Sequence, residues 1–302
     1  MRTSTNPNEG PVSEARARPR LRPADVRLDM GGVTVRGQQR VKNDDQFFIA
    51  TLEPSLSVVK TSVSELREVG GSRQSTSAVL AVCDGIGGEG SGDRASAAAI
   101  QAVASCLRSD EARHDHPTDM PSIPGVRSSL ERMFALAHAG IERLVRDGAG
   151  PPRMGTTLTL AYIHLPQLYI AHIGDSRCYL LREGTLFQLT RDHTVAEELR
   201  RAWGQKIEDD APLSRILNRA LGGGSNTDHR PDITRWGIML GDVVLLCSDG
   251  ITRVLDDSAI ARVLTDEDSG QSAANELALM ARAAGGGDDI TAVVARIVPP
   301  KG

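Results

Sequence analysis

Two very short links constrain this chain more than any other feature. Leu165-Pro166-Gln167 separates apolar runs at 156–164 and 168–174, and Arg182-Glu183-Gly184 separates runs at 176–182 and 185–189. Strands joined by so few residues pair only as antiparallel hairpins, because a parallel crossover needs a dozen residues or more. This argues against a doubly wound parallel sheet in this half of the chain. Further apolar and β-branched runs at 46–50, 78–83, 232–237, 241–247 and 289–298 predict more strands.

Helices are predicted at 93–107, which is alanine-rich, at 127–147 and at 271–284. Leu130, Phe134, Ala137, Ile141 and Leu144 recur at helical spacing in the second, and Ala274, Leu277 and Met280 mark the third. The chain thus reads as one α+β domain over 26–302. Before it, residues 1–25 are polar and carry Arg16, Arg18, Arg20 and Arg22 on alternate positions, a composition that predicts a disordered tail. Segment 51–77 reads as an extended hairpin loop. Segment 194–231, with one short helix and the acidic stretch Glu208-Asp209-Asp210, reads as the irregular kind that borders active sites.

A chain of 302 residues buries a core that needs no disulfides. Its net charge of −4, with acids and bases interleaved, gives no electrostatic case for nucleic acid. No run is long enough to span a membrane and no apolar signal core is present, so a cytoplasmic protein is expected. Cys83, Cys106, Cys178 and Cys247 have no zinc-like spacing and read as buried free thiols. One of them closes a second pattern. Cys247 and Arg253 fit C-x5-R, the loop with which cysteine-dependent phosphatases surround a dianion. Asp249 inside the loop would repel that dianion, and Leu246 stands where such enzymes carry histidine.

Gly85-Ile86-Gly87-Gly88-Glu89-Gly90 fits the dinucleotide fingerprint G-x-G-x-x-G. Asp84, directly before it, would repel a pyrophosphate. The acid expected to bind the ribose, Asp110 or Glu111, follows a helix and no strand.

The more informative pattern is the placement of aspartates. Asp84, Asp175 and Asp249 follow predicted strands, and Asp45 and Asp288 precede them, four of the five beside a glycine. One such residue is an ordinary turn. Several at neighbouring strand ends concentrate negative charge that a cation must neutralise. All-oxygen ligation suits Mg²⁺ or Mn²⁺, and two such ions open the two-metal route to phosphoester hydrolysis. Asp84 belongs beside a metal and not beside a pyrophosphate. Arg40, five residues before Asp45, offers a planar fork for a phosphate.

In order, the chain carries Gly37-x-x-Arg40-x-x-Asn43-Asp44-Asp45, Asp84-Gly-x-Gly-Gly88, Gly155-Thr-Thr157, Gly174-Asp-Ser-Arg177, Leu189-Thr-x-Asp-His-Thr194, Ser248-Asp-Gly250 and Gly287-Asp-Asp-Ile-Thr291. In these stretches, spread over about 30–298, it resembles the metal-dependent (type 2C, PPM) serine/threonine protein phosphatases in their bacterial form. The resemblance implies a four-layer α-β-β-α sandwich, two antiparallel sheets flanked by helices with a metal cleft at one edge. It implies that Asp45, Asp84, Asp249 and Asp288, with the Gly85 carbonyl, hold two Mn²⁺ or Mg²⁺ ions, Asp84 bridging them. It further implies that Asp175 with Asp249 forms a third, weaker metal position and that Arg40 binds the substrate phosphate. Segment 194–231 would be a flap beside the cleft. Phosphorylated proteins, with a Ser/Thr kinase or its substrates, are the implied partners.

Three residues depart from the family pattern. Ile86 stands where some relatives place a histidine proposed as general acid, and it cannot donate a proton. Asp44 replaces a usual glutamate, which would change its reach to metal water. Asp289 replaces a usual asparagine and adds charge beside Asp288, with the expectation of tighter metal binding or a shifted metal preference. His193 reads as part of the cleft wall. Two other readings stay open: an inactive member that binds a phosphoprotein or kinase as a regulator, and the Cys247-dependent phosphatase.

Overall fold

The computed structural model describes residues 26–52, 56–68, 76–87, 91–109, 123–204, 207–208, 211–223 and 228–300. The arginine-rich tail, 1–25, and the pair Asp209-Asp210 lie outside them.

Among the described residues, fourteen strands run in chain order: β1 Arg27–Val35, β2 Gln46–Thr51, β3 Ser57–Thr61, β4 Ser77–Cys83, β5 Gly85–Ile86, β6 Gly155–Thr156, β7 Leu158–His164, β8 Gln167–Ile173, β9 Arg177–Arg182, β10 Thr185–Gln188, β11 Leu221–Gly222, β12 Asp232–Gly237, β13 Val243–Cys247 and β14 Ile290–Val298. They form a six-stranded sheet, β12-β8-β7-β4-β2-β3, a five-stranded sheet, β1-β14-β13-β9-β10, and a three-stranded patch, β11-β6-β5. Both short links close antiparallel hairpins, β7 with β8 and β9 with β10. The second turns through Glu183 and Gly184, both at positive φ, the geometry that matches the twist of paired strands.

The helices are α1 Gly92–Arg108, α2 Ile123–Arg146, α3 Val195–Trp203, the single turn α4 Asp249–Thr252, α5 Asp257–Asp266 and α6 Gly270–Ala283. Strand alternation explains the layering. From β4, Val79 and Ala81 pack toward α1 and α2, while Ala78, Leu80 and Val82 face the other sheet. From β13, Val244 and Leu246 meet them there, and Val243, Leu245 and Cys247 pack toward α5 and α6. Strands buried on both faces read as continuous apolar runs, as these do. The result is the expected four-layer α-β-β-α sandwich.

Some elements were not legible in the sequence. The edge strand β1 contains Asp29, Gly31 and Gly32, residues that disfavour strands. Gly31 is required there: a Cβ would come within 2.3 Å of the Gln271 backbone, where α6 starts against the strand. Segment 51–77 is not all loop, since β3 lies inside it and pairs with β2. Helix α5 is a third departure, with Asp256 capping it by accepting the Ala259 N–H.

Candidate metal centre

Each sheet contributes acids to one edge of the sandwich. Asp45 precedes β2 and Asp84 follows β4 in one sheet, Asp249 follows β13 and Asp288 precedes β14 in the other, and Asp175 follows β8. Asp84, Asp175 and Asp249 each offer a carboxylate oxygen, all within 4.8 Å of one another. Asp45 and Asp288 border that group without belonging to it.

Neighbouring hydroxyls fix these acids. The predicted strand 156–164 breaks at Thr157, whose Oγ1 accepts the Asp84 N–H at 2.9 Å and lies 2.8 Å from Ser176 Oγ. Thr157 N–H and Thr156 Oγ1 both donate to the Asp84 carbonyl at 2.9 Å. The turns carrying Asp84 and Asp175 are thus tied together. Asp45 Oδ2 accepts from Ser248 Oγ at 2.6 Å and Thr291 Oγ1 at 2.7 Å, which joins the two sheets at the cleft. Gly250 is forced by closeness, since a Cβ there would sit 2.0 Å from the Asp289 carbonyl.

The electrostatics call for a cation. Burial, then the charge of Asp45, holds the Asp84 carboxyl well above the usual carboxylate range. Burial pushes Asp45 up to about 8, despite its two hydroxyl donors. Asp175 rises to about 8 through burial and then Asp249, and Asp249 to about 6 through burial, with Arg253 opposing. Asp45 Oδ1 and Asp249 Oδ1 are buried without a hydrogen-bond partner. Unpartnered buried carboxylate oxygens are costly unless a ligand takes them, and a hard, all-oxygen set fits a divalent ion such as Mg²⁺ or Mn²⁺.

Arg40 reaches the cleft. Its Nε and Nη2 both contact Asp288 Oδ1, at 2.7 and 2.6 Å. A cavity of about 490 Å³ beside them is lined by Gln39, Arg40, Arg215, Arg253 and Asp288, with Arg215 coming from segment 194–231. Gly85 pairs with Thr156 in the small sheet, and Ile86 follows it on the same strand.

The departures acquire physical roles. Asp289 accepts the Gly37 N–H at Oδ1 and the Asp44 N–H at Oδ2, each at 2.8 Å. Both of its oxygens therefore hold the loop that carries Arg40 and Asp45, a clamp the sequence did not reveal. Asp44 Oδ1 accepts the Asp93 N–H in the first turn of α1 at 3.1 Å. His193, 3% exposed, accepts the Gly174 N–H at Nδ1 and faces Asp232 at Nε2, so it braces the turn before Asp175. Cys247 is fully buried on β13 and burial pushes its thiol up to about 12, which removes the thiolate that a cysteine mechanism requires.

Residues 52–290 match the family model for protein phosphatase 2C. The chain belongs to the protein phosphatase 2C family. The match begins after Arg40 and Asp45, so those two positions rest on the geometry and motif above. The serine/threonine protein phosphatase PstP of Mycobacterium tuberculosis is 34% identical over 223 residues, which are 73% of this chain and 40% of PstP. The chain thus spans less than half the length of that relative. Serine/threonine phosphatase stp of Listeria welshimeri is 31% identical over 219 residues, 72% of this chain and 83% of that one. Among solved structures, the S. agalactiae serine/threonine phosphatase superposes with a TM-score of 0.71 at 25% identity, covering 89% of this chain and 99% of that one. The catalytic domain of PstP, in complex with two manganese ions, gives 0.69 at 28% identity, covering 90% and 99%. Protein phosphatase 2C enzymes use divalent metals, in keeping with the acid cluster. No described helix is long and apolar enough to cross a membrane.

Proposed function

We propose that this protein phosphatase 2C chain is an active hydrolase of phosphoserine and phosphothreonine in proteins, with residues 26–302 as its catalytic domain. The supporting observation is the set of three carboxylate oxygens within 4.8 Å, flanked by buried oxygens that lack a partner. Asp45, Asp84, Asp249 and Asp288, with the Gly85 carbonyl, would hold two Mn²⁺ or Mg²⁺ ions, and Asp175 with Asp249 a third. Bound there, the ions supply Lewis-acid polarisation of the phosphoryl group and activation of water.

The chain's own residues do the positioning. Asp288 holds the Arg40 guanidinium at the cavity wall through Nε and Nη2, leaving Nη1 to meet a phosphate oxygen. Ser248 and Thr291 fix the rotamer of Asp45, so its second oxygen is presented to the cleft. No histidine is among the described residues lining the cavity and Ile86 has no proton to give, so on this reading protonation of the leaving alcohol falls to water or goes unassisted.

Its partners on this reading are phosphoproteins, among them a Ser/Thr kinase or that kinase's substrates, in signalling within the cytoplasm. The burial of all four cysteines suits a reducing compartment. The alternative of an inactive regulator is disfavoured because every ligand position is still an aspartate. The test is phosphate release from a phosphothreonine peptide by EDTA-stripped protein, which should return only when Mn²⁺ or Mg²⁺ is added. Release without added metal would contradict the reading.

A further inference from the structure

Arg253 is left over from the abandoned cysteine loop, and the structure gives it a different neighbourhood. Cys247 packs into the layer between the five-stranded sheet and helices α5 and α6. Arg253 lies at the C-terminal end of α4, where its N–H donates to the Asp249 carbonyl at 2.9 Å. Its guanidinium contacts three carboxylates. Nη2 ion-pairs with Asp249 and lies 3.9 Å from Asp175 Oδ2, and Nη1 lies 3.7 Å from Asp288 Oδ2.

This is unlike an ordinary surface ion pair, which is screened by water. The Asp175 and Asp249 side chains are 9% and 10% exposed, and one guanidinium serves acids from three separate strand ends. It also divides Asp249. Oδ2 goes to Arg253, while Oδ1 stays buried without a partner. Asp45, whose Oδ1 is likewise unpartnered, has no contact with Arg253 among the described residues. One side of the acid cluster is therefore open to a cation and the other already has one.

We propose that Arg253 is the resident counter-charge of the Asp175–Asp249 position, so that a divalent cation binds there only by displacing its guanidinium. The inference rests on the reading of the cluster as a metal centre and adds a rule for its filling: the position next to Asp45 and Asp84 fills first, and the outer one is held weak by an internal competitor. A guanidinium cannot ligate a metal, and two cations on the same carboxylates repel each other. The cavity of about 490 Å³ that Arg253 lines with Arg40 and Arg215 gives the displaced side chain somewhere to go.

Calorimetric titration of EDTA-stripped protein with MnCl₂ tests this without reference to catalysis. Arg253→Gln should tighten the weakest Mn²⁺ site by roughly tenfold or more, a change equal to removing one nearby charge, or make an extra site measurable where the wild type shows none. In EDTA the same variant should melt below the wild type, because its carboxylates lose their counter-charge, and Mn²⁺ should close the gap. Arg253→Lys keeps the charge but loses the fork and should give an intermediate affinity. If the Gln variant does not fold, the Lys variant decides, with tighter outer binding supporting the proposal. Unchanged or weaker Mn²⁺ binding in a folded variant overturns it. Failure of the wild type to bind Mn²⁺ at all removes both this inference and the phosphatase reading. Mn²⁺ binding that responds to Arg253, in a protein that hydrolyses no phosphopeptide, removes only the latter.

Discussion

Ser248 donates its hydroxyl to Asp45 Oδ2 at 2.6 Å, across the junction of the two sheets. The serine follows the apolar strand β13 and the aspartate precedes β2, so this bond, with that from Thr291 Oγ1 at 2.7 Å, orients a proposed metal ligand from the opposite layer. Ser248→Ala should leave that buried carboxylate half satisfied, lowering stability by about 1–3 kcal/mol. Outer partners of ligands typically account for roughly tenfold or more in metal affinity, so the Mn²⁺ dissociation constant should rise by that order. Urea unfolding and a calorimetric Mn²⁺ titration read the two effects. An unchanged affinity would show that Ser248 does not orient Asp45.

Asp289 should behave as a clamp and not as a metal residue. Both oxygens accept backbone N–H groups, of Gly37 and Asp44, and its side chain is 3% exposed. Asparagine has one acceptor oxygen, so Asp289→Asn turns an amide N–H₂ toward one of those donors. The expected loss is about 1–3 kcal/mol in urea unfolding. A fully stable variant with altered preference between Mn²⁺ and Mg²⁺ would reverse this assignment.

The metal-free protein should lose stability as pH rises. In the folded state burial lifts Asp45 and Asp175 to about 8 and Asp249 to about 6, far above unfolded carboxyls at about 4. The folded state therefore holds protons that the unfolded chain releases. That stability is complete below pH ~4 and is lost as pH rises through the folded values. His172, depressed to about 3 mainly by burial, acts oppositely, but only below its unfolded value of ~6.5. Between pH 6.5 and 8 the carboxyls dominate: the melting temperature should fall with pH in EDTA and hold steady with saturating Mn²⁺. A flat profile in EDTA would mean that the acids are not strained as described.

Cys247→Ser should keep its activity within about twofold, because the thiol is fully buried and facing the helical layer. Phosphopeptide turnover by this variant that falls to background would restore the cysteine mechanism.

The gathering of Asp84, Asp175 and Asp249 was legible because isolated aspartates beside glycine, at the ends of apolar runs, are uncommon enough to be read together. The layers were legible because β4, β13 and β14 are buried on both faces and carry unbroken apolar sequences. What was not legible depends on partners distant in sequence. Strand β1 is glycine-rich because α6 starts against Gly31, a contact 240 residues away in the chain. Asp289 looked like an extra charge until the loop 37–44 folded onto it. Arg253 matched a loop it does not form, and its carboxylate partners lie on three separate strand ends.

The central claim is that these carboxylates work by holding divalent cations for phosphoester hydrolysis. It is tested most directly by titrating Mn²⁺ into phosphothreonine-peptide hydrolysis by the wild type and Asp249→Asn. The account predicts saturable activation of the wild type and loss of turnover by roughly 100-fold or more in the variant, as removal of a main electrostatic contributor produces. Turnover that is independent of Mn²⁺, or retained in Asp249→Asn, would contradict it.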